Sequence, residues 1–145
     1  MITLEHLDKM MALKESNRIY KYLTHYNKTD PLLFNLKQFY ISILNGNIDA
    51  FFILKDGGVC GLLCSYIAWN DNNLPYIDIP VVSGIGVCDL SGLVKAAEGT
   101  IFDYYVSKGE YPYYWQANGR LGWSKVLREN GFNMSSVVYY KEIKR

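Results

Sequence analysis

The sequence predicts an α/β (α+β) fold in which a mixed, mostly antiparallel central sheet is flanked by helices. Ala50 to Leu54 and Val59 to Trp69 are apolar runs rich in aromatic and branched residues, joined by the turn chemistry of Lys55-Asp56-Gly57-Gly58, so they form a hairpin of well-buried strands. Asn70 to Asn73 turns the chain into a third strand, Leu74 to Val82. Beyond it, Asp89-Leu90-Ser91-Gly92 feeds a long amphipathic helix in which Leu90, Leu93, Val94, Ala97, Ile101, Tyr104 and Tyr105 recur at helical spacing. Antiparallel strands followed by a helical crossover imply a mixed sheet with helices on its faces.

Upstream of the hairpin, the pattern from Thr3 reads as helix, with Thr3 as its N-cap and Leu4, Leu7, Met10 and Met11 on one side. This helix runs toward Tyr22 or breaks near Ser16-Asn17, and His25 to Thr29 reads as loop. Asp30-Pro31 opens a second helix, a cap followed by proline at the first helical position, with Leu32, Leu36, Phe39, Tyr40 and Ile43 as its buried stripe and Asn45-Gly46 as its end. The long helix stops at Lys108-Gly109, although Gly92 and Gly99 each cost it ~1 kcal/mol relative to alanine. An alternative parsing ends it at Gly99 and makes Thr100 to Val106 a strand. Tyr111 to Ala117 then reads as a strand, Asn118 to Asn130 as a short helix and Ser135 to Ile143 as a closing strand.

With 145 residues, half of them hydrophobic, the chain can bury one substantial core, and a single domain over residues 1–145 is expected. The net charge is +1 with lysines and arginines scattered, which leaves no electrostatic footprint for nucleic acid. No run approaches the ~18 apolar residues of a membrane span, and the charged N-terminus lacks a signal core, so a cytoplasmic protein is expected. Cys60, Cys64 and Cys88 sit in apolar runs. Cys60 and Cys64 are expected on one face of a strand, about 13 Å apart at ~3.3 Å per residue, too far to bridge. No Cys/His cluster has zinc spacing, so no metal site is expected.

The junction at Asp89 to Gly92 is the first place to look for an anionic ligand, because a helix start presents unpartnered N–H groups and a positive dipole end. Asp78 interrupts the apolar run YIDIP. It is either a solvent-facing residue alternating with Ile77 and Ile79, or a carboxylate held at a site. Tyr111, Tyr113, Tyr114 and Trp115, with Trp69 and Trp123, can line a cleft, present a surface to a second copy or another protein, or be ordinary sheet residues. His6 and His25 lie away from the junction and read as surface or helix-packing residues; Cys88 has no histidine nearby in sequence, and Ser91 reads as a cap.

The order of two helices, a hairpin, a third strand, a long helix, a strand, a short helix and a closing strand resembles the GNAT (Gcn5-related N-acetyltransferase) family over nearly the whole chain, with the family's first strand missing or very short. The hairpin FFILKDGGVCGLLCSY, with Val-x-Gly after its polar turn, is similar to the family's second and third strands; RLGWSKVLRENGF is similar to its fourth helix, ending in Gly131-Phe132. The junction takes the place of the family's acyl-CoA pyrophosphate loop. Leu90-Ser91-Gly92 also resembles the opening of the long helix in shortened GNAT-like proteins of bacteriophages.

The resemblance implies an acyl-CoA-dependent N-acetyltransferase that uses acetyl-CoA and acts on a small-molecule or peptide amine. The family's loop, Gln/Arg-x-x-Gly-x-Gly/Ala, falls on Val81 to Gly86 or on Asp89 to Val94, which makes Val82, Gly84, Gly86, Val87, Asp89, Leu90, Ser91 and Gly92 the candidate cofactor-binding residues. Asp78 stands where the family often carries an acid and is the candidate base. The family's tyrosine, five residues before the terminal phenylalanine, is Leu127 here, so Tyr114 is the candidate acid, with Tyr113, Tyr139 and Tyr140 as substitutes. The competing implication is a GNAT-fold protein, of the phage-encoded kind, that has lost catalysis and serves in structure or protein interaction.

Overall fold

The chain opens with a strand, where the spacing of Leu4, Leu7, Met10 and Met11 suggests a helix. The computed structural model describes residues 1–29, 35–84, 89–117 and 124–133. β1 (Ile2–Leu7) pairs antiparallel with β2 (Asp49–Lys55), from Ile2 opposite Lys55 to Leu7 opposite Ala50. Over so short a segment apolar spacing fits either period, and the available partner strand decides it. The strand that the family resemblance left missing is therefore present, and Thr3 lies inside it. The cap belongs to Asp8, whose carboxylate accepts the Met11 N–H at 2.8 Å and starts α1 (Lys9–Lys14).

The break expected near Ser16 occurs at Glu15, and α2 (Ser16–Thr29) continues through the stretch that reads as loop. Ile19, Leu23 and Tyr26 repeat at helical spacing and pack toward the sheet, which carries the helix past His25. α3 (Leu36–Leu44) begins with Asn35, whose side chain accepts the Gln38 N–H at 3.0 Å. Asp30, Pro31 and Leu32 lie outside the described residues.

β3 (Gly58–Trp69) and β4 (Pro75–Ser83) extend the sheet antiparallel, and β5 (Trp115–Ala117) joins β4 in parallel, giving the order β1-β2-β3-β4-β5. The crossover is α4 (Leu90–Ser107), which is continuous through Gly99, so Thr100 to Val106 is not a strand. β5 is shorter than the expected Tyr111 to Ala117. Ahead of it the chain is tethered to β4 by the Tyr113 N–H to the Pro75 carbonyl (2.9 Å) and the Ile77 N–H to the Tyr114 carbonyl (3.0 Å). α5 (Ser124–Glu129) closes with Gly131 at φ 88° and the Phe132 N–H on the Leu127 carbonyl at 2.9 Å. Residues 118–123 of the expected short helix and the closing strand at 135–143 lie outside the described residues.

Each face of the sheet carries its own core. Leu7, Ile19, Leu23, Ile43, Phe52, Leu62 and Val81 pack with α1, α2 and α3; Ile2, Phe51, Ile53, Leu63, Ile77, Ile79 and Ile101 pack with α4. Fully burying one such side chain contributes about 1.5–3 kcal/mol. The adjacent pair Phe51 and Phe52 shows the strand alternation directly, one ring in each core.

Two bulges shift that alternation. Ile53 faces Gly61 but Leu54 faces Val59, so Cys60 is the extra residue. In consequence Cys60 packs toward the α4-side core and Cys64 lies in the other one, on the opposite face and not on the shared face expected from their spacing. On β4, Cys64 faces Val81 and Tyr66 faces Asp78, so Ile79 and Pro80 together oppose Ser65. Proline suits this place, having no N–H to lose, and its carbonyl accepts the Tyr26 hydroxyl at 2.9 Å.

The C-terminal end of α4 is tied to the sheet by a buried polar cluster. Asp49 accepts the hydroxyls of Tyr104 (3.0 Å) and Tyr105 (2.8 Å), and His6 Nε2 stands 3.7 Å from the same carboxylate. Tyr105 also reaches Ser65 Oγ at 2.9 Å, and the His6 ring stacks on Tyr104. Burial alone would raise the Asp49 pKa, but His6, Tyr105 and Tyr104 outweigh it and hold the carboxyl below its ordinary value.

Candidate active site

Ile67, Ile77 and Trp115 lie side by side on β3, β4 and β5 and belong to the α4-side core, so their neighbours Tyr66, Asp78 and Gln116 form a row on the opposite face. Asp78 is only 5% exposed, which excludes the solvent-facing alternative. Among the described residues its Oδ1 has no hydrogen-bond partner. Burial raises the Asp78 pKa, against the opposing pull of the Tyr66 hydroxyl and the Ile79 N–H. Tyr66 in turn holds its proton more tightly than an ordinary tyrosine, through burial and then through its hydrogen bond to Asp78 and that residue's charge. The pair is thus a proton-seeking carboxylate behind a half-buried hydroxyl. Tyr76 continues the row, and Tyr114 stacks on it with ring centroids 4.9 Å apart and planes within 8°, its hydroxyl accepting Asn70 Nδ2 at 3.2 Å.

On β4 the backbone alternates between its two neighbours. The Ile77 N–H serves β5, Asp78 faces β3, and after the bulge Val81 and Ser83 face β3 again. Val82 points its N–H and C=O toward the β5 side, beyond Ile79 opposite Ala117, the last pair of those strands among the described residues. Ser83 Oγ donates to the Tyr22 carbonyl at 2.6 Å, and Gly84, at φ 97°, lies so near Tyr22 that an added Cβ would stand 2.5 Å from its ring. Gly86, Val87 and Cys88 lie outside the described residues.

At the start of α4 the Asp89 carboxylate turns back as an N-cap and accepts the Gly92 N–H at 2.8 Å. A Cβ on residue 92 would meet that carboxylate at 2.3 Å, which explains a glycine in the first helical turn. Leu90 points into the core beneath, and Ser91 Oγ accepts Asn130 Nδ2 at 3.4 Å, tying α4 to the end of α5. At the helix start the Leu90 and Ser91 amides lie beside a carboxylate that already occupies the third, that of Gly92.

Between β4, α4 and α5 lies a small apolar cleft of about 40 Å³, lined among others by Ile79, Val82, Leu93, Ala97 and Leu127. Leu127 is thus in the site region, and Tyr114 is on the other face of the sheet. His6 belongs to the Asp49 cluster, Tyr111 and Tyr113 are well exposed, and no three His, Cys, Asp or Glu side chains among the described residues are grouped to hold a metal. Tyr66 was missed from the sequence. It stands twelve positions before Asp78, and only the strand register joins them.

No family model and no curated protein sequence matches this chain. Its likeness is structural. An acetyltransferase of Trypanosoma brucei superposes with a TM-score of 0.65 at 15% identity, over 99% of this chain and 100% of that one. A predicted acetyltransferase from Clostridium acetobutylicum, solved with acetyl-CoA, gives 0.65 at 8% over 98% and 96%. An aminoglycoside acetyltransferase from an uncultured soil metagenomic sample, in complex with sisomicin, gives 0.62 at 13% over 99% and 97%. The chain has the GNAT acetyltransferase fold. No helix among the described residues is long and apolar enough to cross a membrane.

Proposed function

We propose that the protein is an N-acyltransferase that passes the acetyl group of acetyl-CoA to a small-molecule or peptide amine. The observation that carries this reading is Asp78, a buried carboxylate with a raised pKa, facing Tyr66 where β4 runs between β3 and β5. The neighbours of this fold that hold acetyl-CoA or sisomicin support a thioester donor and a small amine acceptor.

The Val82 backbone edge, with Gly84 and the Leu90 and Ser91 amides, would hold the cofactor. Once bound, the thioester would supply an acyl group: its C–S bond breaks as the C–N bond to the amine forms, and the second proton the nitrogen loses reaches the departing thiolate by way of solvent. Asp78 takes the proton that the ammonium must lose. The Tyr66 hydroxyl, opposite Asp78 on the same face, would pass that proton on from the acceptor side. Leu127 cannot protonate a thiolate, but a thiol of ordinary pKa near 8.5 is a good leaving group without help. Tyr114, packed on Tyr76 in the same row as Asp78, forms part of the acceptor wall.

The test is a thermal melt with and without millimolar acetyl-CoA, backed by titration calorimetry. Binding to the folded chain at a hundredfold excess over Kd adds about 2.7 kcal/mol and raises the midpoint. Absence of both a shift and binding heat overturns the proposal, and leaves a role in structure or protein interaction as the reading that remains.

A further inference from the structure

We infer that a notch on the α2 face of the sheet, floored by Ala68 and walled by Tyr66 and Tyr76, receives an aliphatic ammonium group and sets it against Asp78. This rests on the acyltransferase reading for the fate of that group, and it names the acceptor's class, a charged alkylamine. Tyr66 and Ala68 are alternate residues of β3 and stand opposite Asp78 and Tyr76 of β4, so the four side chains occupy the corners of one patch. Ala68 is the small one, and it leaves a gap between the two phenol rings. Tyr114 of β5 covers the face of the Tyr76 ring turned toward that strand, and the other face is turned toward β3, over Ala68. Tyr66, Ala68 and Tyr76 are each half-buried, so solvent reaches the notch.

The ligand's charge follows from Asp78. Its Oδ1 is buried and has no hydrogen-bond donor among the described residues, and a buried acceptor of this kind calls for one. Tyr66, Ala68, Tyr76, Tyr114 and Gln116, which share this face with it, bring no positive charge. The carboxylate also acts along the patch: after the larger effect of burial, its charge raises the pKa of Tyr76. Tyrosine faces attract a cation within about 6 Å, and the Ala68 floor suits the methylene groups that follow it.

The experiment is an NMR titration of the full chain at pH 7, without acetyl-CoA, with n-butylammonium chloride and with butan-1-ol, its neutral counterpart. The cation is expected to bind at least tenfold more tightly than the alcohol. Tyr76→Leu, which keeps apolar bulk and loses the aromatic face, should weaken cation binding about two- to fivefold, while Tyr76→Phe retains it. Ala68→Leu fills the notch and should weaken it at least tenfold, and Asp78→Asn should abolish the preference for charge. Tyr76 is half-buried, so its variants keep the test decisive if Ala68→Leu does not fold. Equal affinity for cation and alcohol overturns the inference and leaves the acyltransferase reading standing. Cation binding that Tyr76→Leu and Asp78→Asn leave unaltered overturns the location. Cation binding by a chain that binds no acetyl-CoA upholds the notch and overturns the acyltransferase reading instead.

Discussion

Tyr66 and Asp78 stand directly opposite each other on adjacent strands, with their side chains on the same face of the sheet. Each changes the other's proton affinity. The hydroxyl stabilises the carboxylate form of Asp78, and that charge holds the proton on Tyr66.

Tyr66→Phe removes the hydrogen bond that lowers the Asp78 pKa, so that pKa rises further. Activity needs the ionised carboxylate. The acid limb of kcat/KM against pH therefore moves to higher pH in the variant, with a rate loss of about tenfold or more on the plateau. An unshifted limb would show that Tyr66 serves packing alone.

Asp78→Asn separates stability from activity. Because folding raises this pKa, its stabilising contribution is complete below the unfolded value of about 3.9 and is lost as pH rises through the folded value. At pH 7 the buried charge opposes folding. The asparagine variant is expected to melt no lower than wild type at pH 7, while kcat/KM falls by roughly 10²–10⁴. The relative gain in melting temperature should vanish near pH 3.

Asp89→Ser keeps an N-cap and removes the negative charge at the start of α4. One charge at a helix end is worth about 0.3–1 kcal/mol, so CoA affinity should increase by about two- to fivefold at low salt and less at high salt. Calorimetry at two ionic strengths reads this. Unchanged or weaker binding at low salt places the phosphates elsewhere.

Asp49→Asn takes a charge from the cluster that anchors the end of α4, and one amide N–H then faces a tyrosine hydroxyl. Hydrogen bonds to a charged group are worth about 1.5–3 kcal/mol, so urea unfolding at pH 7 should show a loss on the order of 2 kcal/mol. Folding lowers this pKa, so the stabilisation is present above about 3.9 and lost as pH falls through the folded value. The wild-type and variant curves should converge toward pH 2.

The hairpin, the third strand and α4 are legible in the sequence because each has many residues of one period and clear turn or cap chemistry. Asp78 is legible as a polar break in an apolar run. β1 is not, since six residues with Leu4 and Leu7 fit a helix as well as a strand until β2 is available to pair. The separation of Cys60 and Cys64 onto opposite faces was hidden for a related reason. A bulge adds one residue without a composition signal, and every side chain beyond it changes sides. The partnership of Asp49 with His6, Tyr104 and Tyr105 joins segments far apart in the chain, and no local pattern announces it.

The extra residue at Ile79-Pro80 acts on β4 as a half-step phase shift. On its N-terminal side the even-numbered Asp78 looks toward the α2 face; beyond it the odd-numbered Val81 does so, and the even-numbered Val82 looks into the cleft. Excising Pro80 would restore a regular ladder and leave Val81 to Ser83 on their present faces. One strand thus serves both faces of the sheet on either side of the bulge, Asp78 and Val81 toward α2 and Ile79 and Val82 toward α4.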